Sequence, residues 1–225
     1  MFLWLMQIFI LILMVLLAVA FITLLERSYM GISQRRRGPN KIWIWGLFQP
    51  VLDGVKLVVK TSIKPYHLNT MLFSLIPAIN FMLFILFWAA MPFFFSLLQF
   101  SMNSLFTIVL LGMMGFGIMI TGWASNNKYA LFGSLRSMTQ SISYEVSLSL
   151  VILGLMCIKN SFNFMIMWKG FNLIENMMSI LFLIPIILMI LAECGRTPFD
   201  LMEAESELVS GYNVEFSSTE FAFLF

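Results

Sequence analysis

Five stretches of nearly unbroken apolar sequence decide what this chain can fold into: residues 2–25, 71–95, 105–123, 142–158 and 177–191. A stretch of about 20 apolar residues crosses a bilayer as a helix. In lipid every backbone N–H and C=O needs a partner within the protein, so only helices or closed barrels span it. These runs are too long, and alternate too little, for barrel strands. The composition agrees, at 11% charged and a mean hydropathy of +0.94, where a soluble domain averages about 25% charged. The expectation is an all-α polytopic membrane helix bundle of five complete transmembrane helices, with the start of a sixth near Phe221. It reads as a single membrane domain over residues 1–225 and as a C-terminally incomplete version of a longer protein.

Several chemistries have no residues to carry them. Cys157 and Cys194 are far apart and form no C-x-x-C pair, and His67 is the one histidine. No metal site, flavin site or disulfide framework is implied. Gly112, Gly115 and Gly117 stand in the wrong order for a dinucleotide fingerprint, so close helix packing is the use expected of them. The first apolar run is too long for a signal-peptide core and follows no Arg- and Ser-rich leader. Insertion where the chain is made, in a bacterium or an organelle, is expected. The 19 Met and 24 Phe favour an A+T-rich organellar genome.

Charge distribution sets the expected orientation. Eight basic residues, from Arg27 to Lys64, fall between the first two spans; Lys128 and Arg136 lie between the third and fourth, and Arg196 follows the fifth. Only Lys159 and Lys169 oppose them. Short loops rich in Lys and Arg stay on the cytoplasmic or matrix side, which puts the N-terminus on the other.

Three polar segments share the basic side. In the first, Arg35-Arg36-Arg37-Gly38-Pro39-Asn40 leads into an apolar periodicity at three- and four-residue steps, an amphipathic interfacial helix at about residues 41–62. Asp53 and Lys56 are spaced to pair on its polar face. Glu26-Arg27, ending the first span, would form the neighbouring wall of a crevice. The second segment, residues 122–145, reads as an unusually polar loop that delivers Glu145 into an apolar helix. An acid within a span is by default a functional position and suits proton uptake and release, though pairing of Glu145 with Arg136 is the blander alternative.

The third segment holds most of the acids. Of the 11 Asp and Glu, seven lie between Glu193 and Glu220, an acidic loop over about residues 193–218. Thr197-Pro198-Phe199-Asp200 has the order of a helix start, with a hydroxyl cap, Pro at the first position and an early carboxylate. Asp200, Glu203 and Glu207 would then share one face with no Lys or Arg in the helix. Like charges at that spacing destabilise a helix. A cluster of coupled, proton-handling carboxylates accounts for them better than calcium, whose EF-hand ligand order is absent.

Together these segments resemble the subunit 1 family of respiratory complex I. Gln34 to Asn40, residues 122–145, and Arg196-Thr197-Pro198-Phe199-Asp200 through Gly211-Tyr212-Asn213-Val214-Glu215 carry the resemblance, which runs the length of the chain. It implies a membrane subunit of proton-pumping NADH:ubiquinone oxidoreductase in the mitochondrial inner membrane, its N-terminus facing the intermembrane space. The chain would act as an enzyme only as a subunit, with no complete active site of its own. By position, Glu26, Arg27, Arg36, Asp53 and Phe225 match the quinone chamber and its mouth. Glu145, Glu193, Asp200, Glu203, Glu205, Glu207 and Glu215 match the acids leading from the quinone site into the membrane. Ser28, Ala204 and the run Ser217 to Glu220 depart from the family pattern.

Ubiquinone would be the substrate, held jointly with partner subunits. Iron–sulfur subunits of the quinone module would lie on the matrix side, small membrane subunits laterally, and lipids around them. No flavin, iron–sulfur cluster or metal is expected on this chain, and no nucleic acid as partner. The alternatives are a homologous membrane subunit of an energy-converting hydrogenase or a stand-alone ion or proton transporter. The latter often shows internal repeats with broken helices, and no repeat is readable here.

Overall fold

The computed structural model describes residues 2–43, 46–62, 64–91, 101–169, 173–195, 199 and 215–224, with backbone alone at 2–5, 168–169 and 173–176. All regular structure among them is helical. The chain divides into two compact units, Met1–Ile63 with Ser217–Phe223, and Lys64–Phe216.

In the first unit α1 (Phe2–Ser33) runs eight residues beyond the expected span, carrying Glu26 and Arg27 on a continuous helix. It stops for a local reason. The Arg35 N–H donates to Ile32 O at 3.0 Å and the Arg36 N–H to Gly31 O at 2.8 Å, with Arg35 at a φ of 55°. This is the Schellman closure, which satisfies the last carbonyls by placing one residue in the left-handed region. The chain then doubles back so tightly that a Cβ on Gly31 would lie 2.8 Å from the Gly38 nitrogen. The amphipathic helix follows as α2 (Gln49–Val59), shorter than the expected 41–62 and packed against α1. Pro50 occupies its first turn, where a missing N–H costs nothing. Val51, Leu52, Val55, Val58 and Val59 are exposed.

The second unit contains α3 (Thr70–Ala90), α4 (Asn103–Ala124), α5 (Lys128–Lys159), α6 (Phe164–Lys169), α7 (Leu173–Leu181) and α8 (Leu183–Glu193). The last helix, α9 (Ser218–Leu224), belongs mostly to the first unit. α4 packs between α3 and α5, and α5 also meets α7 and α8. Large apolar side chains such as Met82, Phe116 and Leu150 point outward, while the seams hold Gly115, Gly117, Ala124 and Ala130. Membrane helices associate through such small residues, because lipid leaves no hydrophobic drive between them. Among the described residues, four helices are long and apolar enough to cross a membrane: Met6–Ser33, Thr70–Ala90, Asn103–Ala124 and Lys128–Lys159.

Two sequence expectations are corrected here. The polar segment before Glu145 is no loop: only Ser125 to Asn127 separates α4 from α5, and residues 128–142 are already helical. Asn126 turns the chain at a φ of 50°, and Asn127 caps α5 by accepting from the Tyr129 N–H at 3.1 Å. The fifth apolar run, expected as one crossing over 177–191, is two helices that meet at Phe182. Pro185 has no N–H to give the Leu181 carbonyl, and the helical ladder is interrupted at that point. Phe182 packs at this break against α5, where a Cβ on Gly154 would lie 2.9 Å from its ring.

Candidate functional site

Glu145 enters the α4–α5 seam, and a glycine makes the room. A Cβ added to Gly112 would run into the Glu145 carboxylate, 3.1 Å from Cδ and closer to Oε1. The pattern repeats along the seam, with Gly115 against Ser141 and Gly122 against Ser134, while Gly117 meets Asn80 of α3. The spans' glycines thus serve close packing, as expected, and specifically admit polar side chains. Those side chains bring much of their own satisfaction. Ser134, Ser137 and Ser141 each donate to the carbonyl three residues back, at 2.8 to 3.0 Å.

Across α5 from that seam stands the end of α8. Gln140 Nε2 donates to Ala192 O at 3.1 Å and to Phe199 O at 2.7 Å, and Tyr144 meets the Phe199 ring edge-on with centroids 5.6 Å apart. Glu193, two residues past the apolar run, is thereby brought within electrostatic reach of Glu145. Neighbouring protein atoms displace part of the water around its carboxyl, although the residue is exposed at the end of α8, and the negative charge of Glu145 adds to that effect. Both raise Glu193 from the ordinary carboxylate value. Such a group can take up a proton nearer neutrality than an ordinary surface acid.

Glu215 lies at the other end of α5. The Asn127 Nδ2 donates to Glu215 Oε1 at 2.8 Å, and the next residue, Phe216, stacks on Phe73 of α3 with centroids 4.1 Å apart. With 1.5 Å rise per helical residue, Asn127 and Glu145 stand roughly 27 Å apart along α5. Glu215 is therefore anchored at the helix start, far from the Glu145–Glu193 pair. Asp200, Glu203, Glu205, Glu207 and Phe225, and the helix expected after Thr197, lie outside the described residues.

The first unit holds its own charged group. Arg27 Nη1 on α1 lies 3.1 Å from Asp53 Oδ2 on α2, and Gln49 Nε2 donates to Asp53 Oδ1 at 3.0 Å. Asp53 thus pairs across the two helices rather than with Lys56 of its own. Glu26 is half-buried beside Arg27. Arg36 is exposed and donates from Nε to Gln34 Oε1 at 2.8 Å. The structure brings together Arg27 with Asp53 and Glu145 with Glu193. Sequence reasoning missed Gln140 and Asn127, and it assigned Gly112 to helix packing without the carboxylate that it admits.

The comparisons with known proteins can be set against this geometry. A family model described as NADH dehydrogenase matches residues 6–225. NADH-ubiquinone oxidoreductase chain 1 of Branchiostoma lanceolatum is 44% identical over 94% of this chain and 68% of its own length. The protein of the same name from Zaedyus pichiy is 42% identical over 99% of this chain and 70% of its own, and that from Aedes aegypti 42% identical over 96% and 69%. Residues matched from one end of the chain to the other, at this identity, settle membership: the chain belongs to the NADH dehydrogenase family, as a multi-pass helical membrane protein of the chain 1 type.

Proposed function

We propose that the chain is the membrane subunit through which a proton-pumping NADH:ubiquinone oxidoreductase couples quinone reduction to proton movement. The observation that carries this reading is Glu145, a carboxylate admitted into a membrane-helix seam by Gly112 and set within electrostatic reach of Glu193. Intramembrane acids are costly and mark ion or proton pathways. The chain 1 names of its relatives supply the redox partner reaction.

In this reading Arg27 and Asp53, with Glu26 and Arg36 nearby in sequence, line the entry for the quinone, and Phe225 lies beside the chamber. Reduction of the quinone consumes protons and alters the local charge. Glu145, Glu193, Asp200, Glu203, Glu205, Glu207 and Glu215 respond by changing their protonation and pass the effect into the membrane. Electrons arrive from partner subunits that carry flavin and iron–sulfur chemistry. The setting is the mitochondrial inner membrane, with the basic segments on the matrix side and the N-terminus in the intermembrane space.

The test is purification of the tagged chain from its native membrane in mild detergent. The expected result is a large complex with iron–sulfur subunits, NADH-driven quinone reduction, and a photoreactive quinone-site inhibitor that labels the peptide holding Arg27 or Asp53. A complex that evolves hydrogen and binds no quinone analogue would replace this reading with the hydrogenase one. A chain that purifies alone and transports ions would replace it with a transporter.

A further inference from the structure

Gln140 is 6% exposed in the middle of a membrane-spanning helix, an unusual place for an amide. Its two N–H groups go to two carbonyls seven residues apart in sequence, Ala192 O and Phe199 O. One amide reaches both because Phe199 lies against α5 beside the end of α8. The Tyr144–Phe199 ring contact closes the same corner one helical turn further on. Each of these contacts adjoins an acid: Glu193 follows Ala192, and Glu145 follows Tyr144. The Gln140 Oε1 is buried and accepts no hydrogen bond among the described residues. A buried acceptor without a partner is a cost, so the donor end is what this side chain contributes.

We propose that Gln140 is a positioning residue for the Glu145–Glu193 pair, its amide holding the end of α8 and Phe199 on α5 and so setting how closely the two carboxyl groups approach. The proposal rests on the functional reading above, in which that pair takes part in coupling. Glu145 and Tyr144 are the titratable groups that α5 presents on this side, with Tyr144 turned to Phe199. Arg136, a turn before Gln140, is exposed.

The experiment uses the complete assembled enzyme. Gln140→Met keeps the length of the side chain and removes both donors; Gln140→Asn keeps an amide but is one methylene too short to span both carbonyls. With the clamp lost, Glu193 moves away from Glu145 and returns towards ordinary carboxylate behaviour. The alkaline limb of the pH profile for coupled quinone reduction then moves to lower pH by about one unit, about tenfold in proton affinity, while the quinone KM is unchanged. In a Glu193→Gln background, Gln140→Met moves nothing further. An unmoved limb in either assembled variant overturns the proposal, as does a rate loss that simply adds to that of Glu193→Gln. Failure of both variants to assemble assigns the amide a purely structural role and overturns it too. Failure of the underlying reading looks different, because the unaltered chain would then purify without quinone reductase activity.

Discussion

Glu145 holds its place because Gly112 has no side chain, and the two residues stand or fall together. Gly112→Ala forces the carboxylate out of the seam or the helices apart, an overpacking that costs about 1–3 kcal/mol. The expected outcome is reduced proton pumping per quinone reduced, measured in proteoliposomes, together with a lowered melting temperature. Gly54→Ala is the matched control. A Cβ there meets nothing within 4 Å, and replacing glycine in a helix interior stabilises by about 0.5–1 kcal/mol. Glu193 makes a pH prediction whose sign follows from its raised proton affinity. A carboxyl that binds its proton more tightly in the folded state weakens the fold wherever it is ionised. That penalty is absent below the ordinary carboxylate value and grows as pH rises through the folded one. Glu193→Gln removes it, so the variant gains thermal stability over the unaltered enzyme at alkaline pH and loses the advantage in acid. A constant difference between the two across pH would contradict the account.

At the scale of elements, α5 organises the second unit. It begins on the Asn127 cap, lines the glycine seam of α4 with Ser134, Ser141 and Glu145, and receives α8 and Phe199 through Gln140. The sequence was misleading here for a physical reason. Ser134, Ser137 and Gln140 lower the hydropathy of residues 128–142 to that of a loop, yet they face other helices, where glycines and internal hydrogen bonds accommodate them. Hydropathy does not separate a polar seam from a solvated turn. The apolar runs of α1, α3 and α4 were legible because they face outward and need little else. The break at Phe182 lies where Pro185 interrupts the helical ladder, which the hydropathy of the run does not report. Asn127 tests the element directly. Asn127→Ala removes the cap and the bond to Glu215, a loss of about 1–2 kcal/mol. Asn127→Asp keeps the cap but sets a carboxylate against Glu215. It should destabilise at neutral pH and recover in acid, followed by thermal denaturation of the assembled enzyme.

For the whole molecule, family and fold class were readable in the chain because the three polar segments are long and the apolar runs unambiguous. The contacts among the charged residues were not legible in the sequence. Sequence spacing paired Asp53 with Lys56, whereas the structure pairs it with Arg27 of α1, an interaction between elements that no local spacing reports. That ion pair is solvent-exposed on both sides, at 55% and 43%, so breaking it by Asp53→Asn costs under about 1 kcal/mol of stability. Its consequence belongs to function: the variant is expected to assemble normally and to show a raised KM for quinone. In the proposed mechanism the carboxylate of Glu145 links quinone reduction to proton translocation. The most direct test of that link is the number of protons moved per electron in proteoliposomes containing the Glu145→Gln enzyme. The account predicts that fewer protons move for each quinone reduced; an unchanged ratio at an unchanged rate would contradict it.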